Sequence, residues 1–228
     1  MFIGHYAVGF ALKKAEPRMP LGLLVLGTAL LDILFGVFLL TGVEHMRVRP
    51  EVIGFLSFDM YDLPISHSLL GASLWSCMGF IAYRLWPGGD RAARKRFAPI
   101  FAAAIFSHYI LDLIVHTPDL PLATNSSLKI GFSLWKNVPA SILVEIGLLA
   151  LGMGLYVRAT RSTSRWGDYG VTYLALFQTV YFIGCYFGFL PRSPDALATR
   201  LIVEQLALVA VVQWVDNNRS SLKIDLRN

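Results

Sequence analysis

The sequence predicts an all-α fold: a polytopic membrane helix bundle of about six transmembrane helices, preceded by a short re-entrant or interfacial helix. Three observations carry this expectation. Of 228 residues, 55% are apolar and only 15% charged, whereas a water-soluble domain carries about a quarter charged residues. Several stretches are apolar over the roughly 20 residues that a helix needs to cross hydrocarbon about 30 Å thick. Lys and Arg are also shared unequally between alternate connections, as cytoplasmic and outer loops share them.

The spans expected are Leu21 to Gly42, Ser66 to Trp86, Phe97 to His116, Val138 to Val157, Tyr169 to Leu190 and Leu197 to Val215. Pro99 and Pro139 are placed in the first turns of their helices, where a missing N–H costs little. Trp86, Trp135, Trp166 and Trp214 fall near segment ends, as interfacial aromatics do. Phe2 to Leu12 is too short to span, and it lacks the positive leader of a signal peptide, since Lys13 and Lys14 follow it. It therefore either lies on the inner surface or dips in from the cytoplasmic face against protein. In the second case His5 sits about 12 Å deeper than Lys13.

Numbering the connections alternately puts Lys13, Lys14, Arg18, Arg84, Arg91, Arg94, Lys95, Arg96, Arg158, Arg161, Arg165, Arg219, Lys223 and Arg227 on one side. The other side holds Arg47, Arg49, Lys129, Lys136, Arg192 and Arg200. Fourteen against six places the C-terminus in the cytoplasm, and the loops Val43 to Ile65 and Thr117 to Asn137 outside. The same asymmetry accounts for the net charge of +5 and the pI of 9.3, so no nucleic-acid partner is called for; the bilayer is the partner. Ordinary Gly and Pro content and two cysteines, Cys77 and Cys185, exclude collagen-like, disordered and disulfide-stapled designs. Both cysteines lie in apolar runs, as free packing thiols do. No repeat or linker divides the chain, so residues 1–228 read as one integral membrane domain, with polar chemistry in 1–120 and helix packing in 138–215.

Ionisable residues inside spans cost about 2.5–3.5 kcal/mol each on insertion scales, so each calls for a partner or a purpose. Asp32 lies about 18 Å into the first span by helical rise, near the midplane. His108, Asp112 and His116 follow at i, i+4 and i+8 and share one helix face. His67 opens the second span, with Asp59 and Asp62 before it. Imidazole and carboxylate together are ligands for Zn²⁺ and related divalent ions, whose charge offsets buried carboxylates. A hydrogen-bonded His–Asp cluster that merely joins helices is the plainer alternative. His116 is expected to be interfacial and His45 a solvated loop residue. Glu145 and Glu204 are expected to be structural partners, the latter with Arg200 at i−4. Ser66, Ser68 and Ser107 are expected to bond their own backbone.

The residues Gly4-His5-Tyr6-Ala7, Leu31-Asp32-Ile33, Asp62-Leu63-Pro64-Ile65-Ser66-His67-Ser68 and Ser107-His108-Tyr109-Ile110-Leu111-Asp112 carry a resemblance over residues 1–120. Their order resembles that of the small bacterial inner-membrane proteins classed as membrane-bound metal-dependent hydrolases, which include the LexA-regulated YdjM-like proteins. That pattern runs T-H near the start, P-D-x-D in an early helix, H-R-x-x-T-H-S before another helix, and H-x-x-x-D later. The resemblance implies His5, His67, His108 and Asp112 as metal ligands, and Asp32 as the first acidic residue. Three departures stand out: Leu34 replaces the second Asp, Asp62 replaces the first His of H-R-x-x-T-H, and Ser66 replaces Thr.

The reading that follows is a site with His67, His108 and Asp112 as core ligands and His5 or Asp32 completing it. Asp32 and Asp62 are the catalytic carboxylates or the partners of ligand histidines. Its substrate is a lipid or amphiphile reached from the outer leaflet. Two other classes stay open, a proton- or ion-coupled transporter and a non-catalytic scaffold packed on small residues. Convergence of the five residues on one point, rather than along a path, separates the first class from the second.

Overall fold

The computed structural model describes residues 1–88 and 90–222. Lys223 and Arg227, counted above toward the basic face, lie outside the described residues. The described chain is mostly helical: α1 (Gly4–Ala15), α2 (Leu21–Leu40), α3 (Leu69–Leu85), α4 (Arg91–Val115), α5 (Val138–Ala159), α6 (Arg165–Tyr186) and α7 (Pro194–Asn217). Three helices, α2, α4 and α5, are long and apolar enough to cross a membrane, and α3 is apolar but shorter. α6 and α7 run for 22 and 24 residues, with Gln178, Arg200, Glu204, Gln205 and Gln213 interrupting their apolar character. Outward faces carry Leu74, Ile81, Leu143, Leu151, Phe177 and Val180, all exposed, a more apolar exterior than soluble monomers show.

Caps explain where several helices differ from the expected spans. Asp90 accepts from the N–H groups of Ala92 and Ala93 at 3.0 and 3.2 Å, so α4 starts six residues before Phe97. Pro99 consequently lies inside the helix rather than in its first turn. Ser68 caps α3 by accepting from Gly71 N–H at 2.8 Å, which leaves His67 just ahead of the helix, in the bend that follows the turn at residues 64–66. Ser164 and Ser193 cap α6 and α7 in the same way.

The described residues contain short antiparallel strand pairs that the all-α expectation did not include. Two are hairpins in the connections, β1 (His45–Val48) with β2 (Phe58–Asp62) and β3 (Leu120–Pro121) with β4 (Lys129–Ile130). The third is a long-range pair, β5 (Thr160–Ser162) before α6 with β6 (Arg219–Ser221) after α7. β1 and β2 pair Arg47 with Asp59 and Val48 with Phe58. This gives the loop between α2 and α3 a fixed shape, and brings its base back over the helices.

α1 is the centre of the arrangement, packed on α5, α2 and α4. Ile3, His5, Tyr6, Ala7 and Phe10 are buried, so α1 is enclosed by protein rather than presenting one apolar face outward. Two close approaches make room for it and for the site. A Cβ at Gly152 would lie 2.3 Å from the Ala7 carbonyl oxygen, so α5 needs glycine there. A Cβ at Gly27 would lie 2.9 Å from Ala104 Cβ, where α2 meets α4. Both ends of α1 are held by buried carboxylates. Glu145 of α5 accepts from Phe2 and Gly4 N–H at 2.8 and 3.0 Å, at the end where a helix has unpaired donors and favours negative charge. Lys13 donates to Asp216 of α7 at 2.7 Å and to the Met19 carbonyl at 2.9 Å.

Candidate metal centre

Where α1, α2 and α4 meet the chain entering α3, the polar side chains expected from the sequence come together. His5, Asp32 and His108 each offer a ligand atom within 4.8 Å of the others, and so do His67, His108 and Asp112. All but Asp32 are buried; Asp32 is 16% exposed at its side chain.

Asp112 is the hub. Its Oδ1 lies 3.1 Å from His5 Nε2 and 3.8 Å from His116 Nε2, and it accepts from Met1 N. Its Oδ2 lies 3.1 Å from His108 Nε2 and 3.5 Å from His67 Nε2. Asp32 Oδ1 faces the same pair, 3.6 Å from His67 Nε2 and 3.7 Å from His108 Nε2. The His5 and His108 rings stack with centroids 3.7 Å apart.

The outward nitrogens of the histidines set the electronics of the inward ones. His108 Nδ1 is 2.7 Å from the Thr28 carbonyl, an acceptor only, so Nδ1 carries a proton, and in the neutral ring Nε2 presents a lone pair. The Gly27–Ala104 approach brings this carbonyl into reach. His116 Nδ1 is 2.9 Å from Asp119 Oδ1, which assigns the same tautomer. At His67 the chain of bonds is longer. Ser66 Oγ donates to Glu44 Oε2 at 2.5 Å, so it accepts from His67 Nδ1 at 2.7 Å. Glu44 is itself fixed by the N–H groups of Ile65 and Ser66 at 2.7 and 2.8 Å.

With Nδ1–H engaged outward, the neutral form of each of these three rings leaves the Nε2 lone pair beside carboxylate oxygens. His108 Nε2 and Asp112 Oδ2 are buried with no hydrogen-bond partner, although 3.1 Å apart. Two acceptors facing each other out of water are costly, and a cation between them removes the cost. The outer hydrogen bonds are those by which proteins orient ligand histidines. The donor set, imidazole nitrogen with carboxylate oxygen, fits Zn²⁺ or a related divalent ion.

A cavity of about 60 Å³ adjoins the cluster, with Asp32, His67, Asp112 and His116 on its polar side and Phe55, Phe58 and Trp135 among its apolar walls. Trp135 is buried, its ring 4.4 Å from that of His116, so it covers the site rather than marking an interface.

The expected residues His5, Asp32, His67, His108 and Asp112 all converge. Asp62 is engaged elsewhere: it bonds His45 Nδ1 at 2.6 Å and Asn125 in the hairpin region, and it is in neither candidate ligand group. The register of β1 on β2 pairs His45 with Asp62 and holds it there. His116, expected at an interface, is buried in the cluster. The sequence reading also passed over Glu44, Thr28 and Asp119; the i, i+4 spacing of His116 from Asp112 was the one visible signal. Glu145 and Glu204 are structural as expected, Glu204 pairing with Arg200 at 2.8 Å. Ser107 bonds the Ala104 carbonyl at 2.7 Å and Ser68 that of Pro64 at 2.7 Å, whereas Ser66 serves His67 instead.

Comparisons with protein-family models, with curated proteins and with solved structures find no match to this chain.

Proposed function

We propose that this chain is a six-span protein of the bacterial inner membrane, with α1 re-entrant and the C-terminus cytoplasmic. In this reading it is a metal-dependent hydrolase acting on a lipid or amphiphile near the outer leaflet. The observation that carries the reading is the meeting of the Nε2 atoms of His67, His108 and His116 with the carboxylates of Asp112 and Asp32, where His108 Nε2 and Asp112 Oδ2 lie 3.1 Å apart and make no hydrogen bond.

His67, His108 and Asp112 would hold the ion, with His5 and His116 flanking Asp112. A divalent ion such as Zn²⁺ supplies Lewis acidity and lowers the pKa of water to about 7. Asp32 is the carboxylate for proton transfer: its Oδ1 faces the two core histidines, and it alone of the cluster's carboxylates is partly open, at 16%. The catalytic role considered for Asp62 passes to Asp32. Phe55, Phe58 and Trp135 keep the cavity apolar, which suits an amphiphile and strengthens electrostatic interactions inside. The YdjM-like resemblance supports this assignment, because the five residues it matches are the five that meet. Convergence within 4.8 Å, rather than a file of polar groups, favours a site over a conduction path.

Metal content of the purified, detergent-solubilised protein tests the reading. Near-stoichiometric metal is expected in the wild type and background levels in His67→Ala and His108→Ala. A metal-free wild-type protein, after supplementation with zinc, overturns it.

A further inference from the structure

α6 and α7 do not close on each other. Between them runs a groove of about 420 Å³, well above the 60 Å³ beside the metal centre and within the range of ligand pockets, about 300–1,000 Å³. Its walls are almost wholly apolar, Tyr173, Leu174, Phe177, Leu208 and Val211 among them. The two cavities share Phe2, Leu201 and Glu204, so the groove lies against the space that holds Asp32 and Asp112, with only these side chains between. Its inner end is also wired to the site. Gln205, in the groove wall, donates to Asp32 Oδ2 at 3.2 Å and accepts from Tyr6 Oη at 2.9 Å.

We propose that this groove seats one acyl chain, with the polar end of the same molecule at the metal centre; the assignment of the molecule as substrate rests on the hydrolase reading above. Adjacency to the site, with Gln205 of the groove wall bonded to Asp32, selects this occupant over bulk lipid or a second copy of the chain. The amide and carboxylate side chains of the groove are Gln178, Glu204 and Gln205, each nine or more residues along its helix from Trp166 or Trp214, so the tryptophan end is apolar, the distribution of a single-tailed amphiphile. From Leu201 to Val215 along α7 is about 21 Å by helical rise, longer than half of the roughly 30 Å hydrocarbon core. An extended acyl chain therefore fits along it, its methyl end toward Trp166 and Trp214, whose rings touch at 5.5 Å between centroids and close that end of the groove.

These tryptophans and Trp135, beside the metal centre, make the direction of the chain readable. The probes are two fatty acids, one brominated near the methyl end and one near the carboxylate, added to full-length protein in unbrominated detergent. Bromine quenches indole fluorescence only on contact. The methyl-end probe is expected to quench Trp166 and Trp214, as assigned with Trp166→Phe and Trp214→Phe, and the carboxyl-end probe to quench Trp135. Both curves saturate at about one fatty acid per protein. Ala207→Phe puts a ring into the groove away from the metal centre. It should weaken binding about tenfold or more, the worth of roughly two methylenes, with metal content unchanged. Quenching that never saturates, that is equal in Ala207→Phe, or that reverses the order of the tryptophans overturns the proposal. Metal measured on the same samples separates the two readings. Saturable, correctly ordered quenching of a metal-free protein sinks the hydrolase and leaves the chain site standing. Full metal with unsaturable quenching sinks the chain site alone.

Discussion

Two buried aspartates, Asp112 and Asp216, sit at opposite reaches of the bundle and teach opposite lessons. Asp216 is finished: Oδ2 accepts from Lys13 Nζ at 2.7 Å and Leu21 N–H at 3.2 Å, and Oδ1 from Tyr156 Oη at 3.0 Å. Every atom has a donor, the charge has a counter-charge, and nothing further is invited. Asp112 has more neighbours and fewer bonds. Four imidazole Nε2 atoms lie within 3.8 Å of it, yet Oδ2 accepts no hydrogen bond. Counting polar neighbours would rank Asp112 as the better satisfied of the two; asking which atoms have a proton to give reverses the order. A saturated buried carboxylate joins helices, whereas Asp112, bonded at Oδ1 by Met1 N and His5 but bare at Oδ2, has an oxygen left that could serve a metal ion.

The contrast can be broken first at Asp216. Lys13→Met leaves its carboxylate buried without a cation, and stability should fall by about 3–5 kcal/mol, read from unfolding of the solubilised protein. Metal per folded molecule should stay at the wild-type value; a parallel loss of metal would mean that the two centres are not separate devices.

Removing the ion tests the other side. At a free metal concentration about 100 times Kd, binding contributes about 2.7 kcal/mol. A chelator should therefore lower the melting temperature of the wild type and leave that of His108→Ala unchanged.

Smaller effects sharpen the picture. Glu44→Gln and Ser66→Ala loosen the hold on His67 and should weaken zinc binding about 10–100-fold in a competition titration, with the fold intact. Asp62→Asn should change stability by no more than about 1 kcal/mol, since its partner His45 is half exposed at 51%, and should leave zinc affinity unaltered. A loss of zinc there would return Asp62 to the site.

Much of the centre was legible before any coordinates, and for one reason. His5, Asp32, His108 and Asp112 stand in apolar stretches where solvation cannot account for them, so each demanded a partner. The same logic failed at segment edges. His116 and Glu44 border loops that look solvated, and only the folding of those loops back over the helices buries them. Asp62 stands near His67 in sequence and at the place of the first His in the H-R-x-x-T-H pattern, but the strand register pairs it with His45 of β1. The apolar periodicity located the helices, yet it could not foresee that Asp90 would lengthen α4. The hairpins stayed hidden because two- to five-residue strands leave too few alternations to read. Trp135 was misjudged because an aromatic at a helix start looks the same whether it meets headgroups or a histidine.

The double anchoring of α1 bears on how the protein is made. Every proposed ligand precedes residue 117, but the carboxylates that clamp the first helix, Glu145 and Asp216, belong to α5 and α7. His5 leaves the ribosome before any other member of the cluster, yet its helix is secured only after the last one has been inserted. If the proposed ion is bound, the centre would therefore stay open to it until late in synthesis and close as the final helices dock.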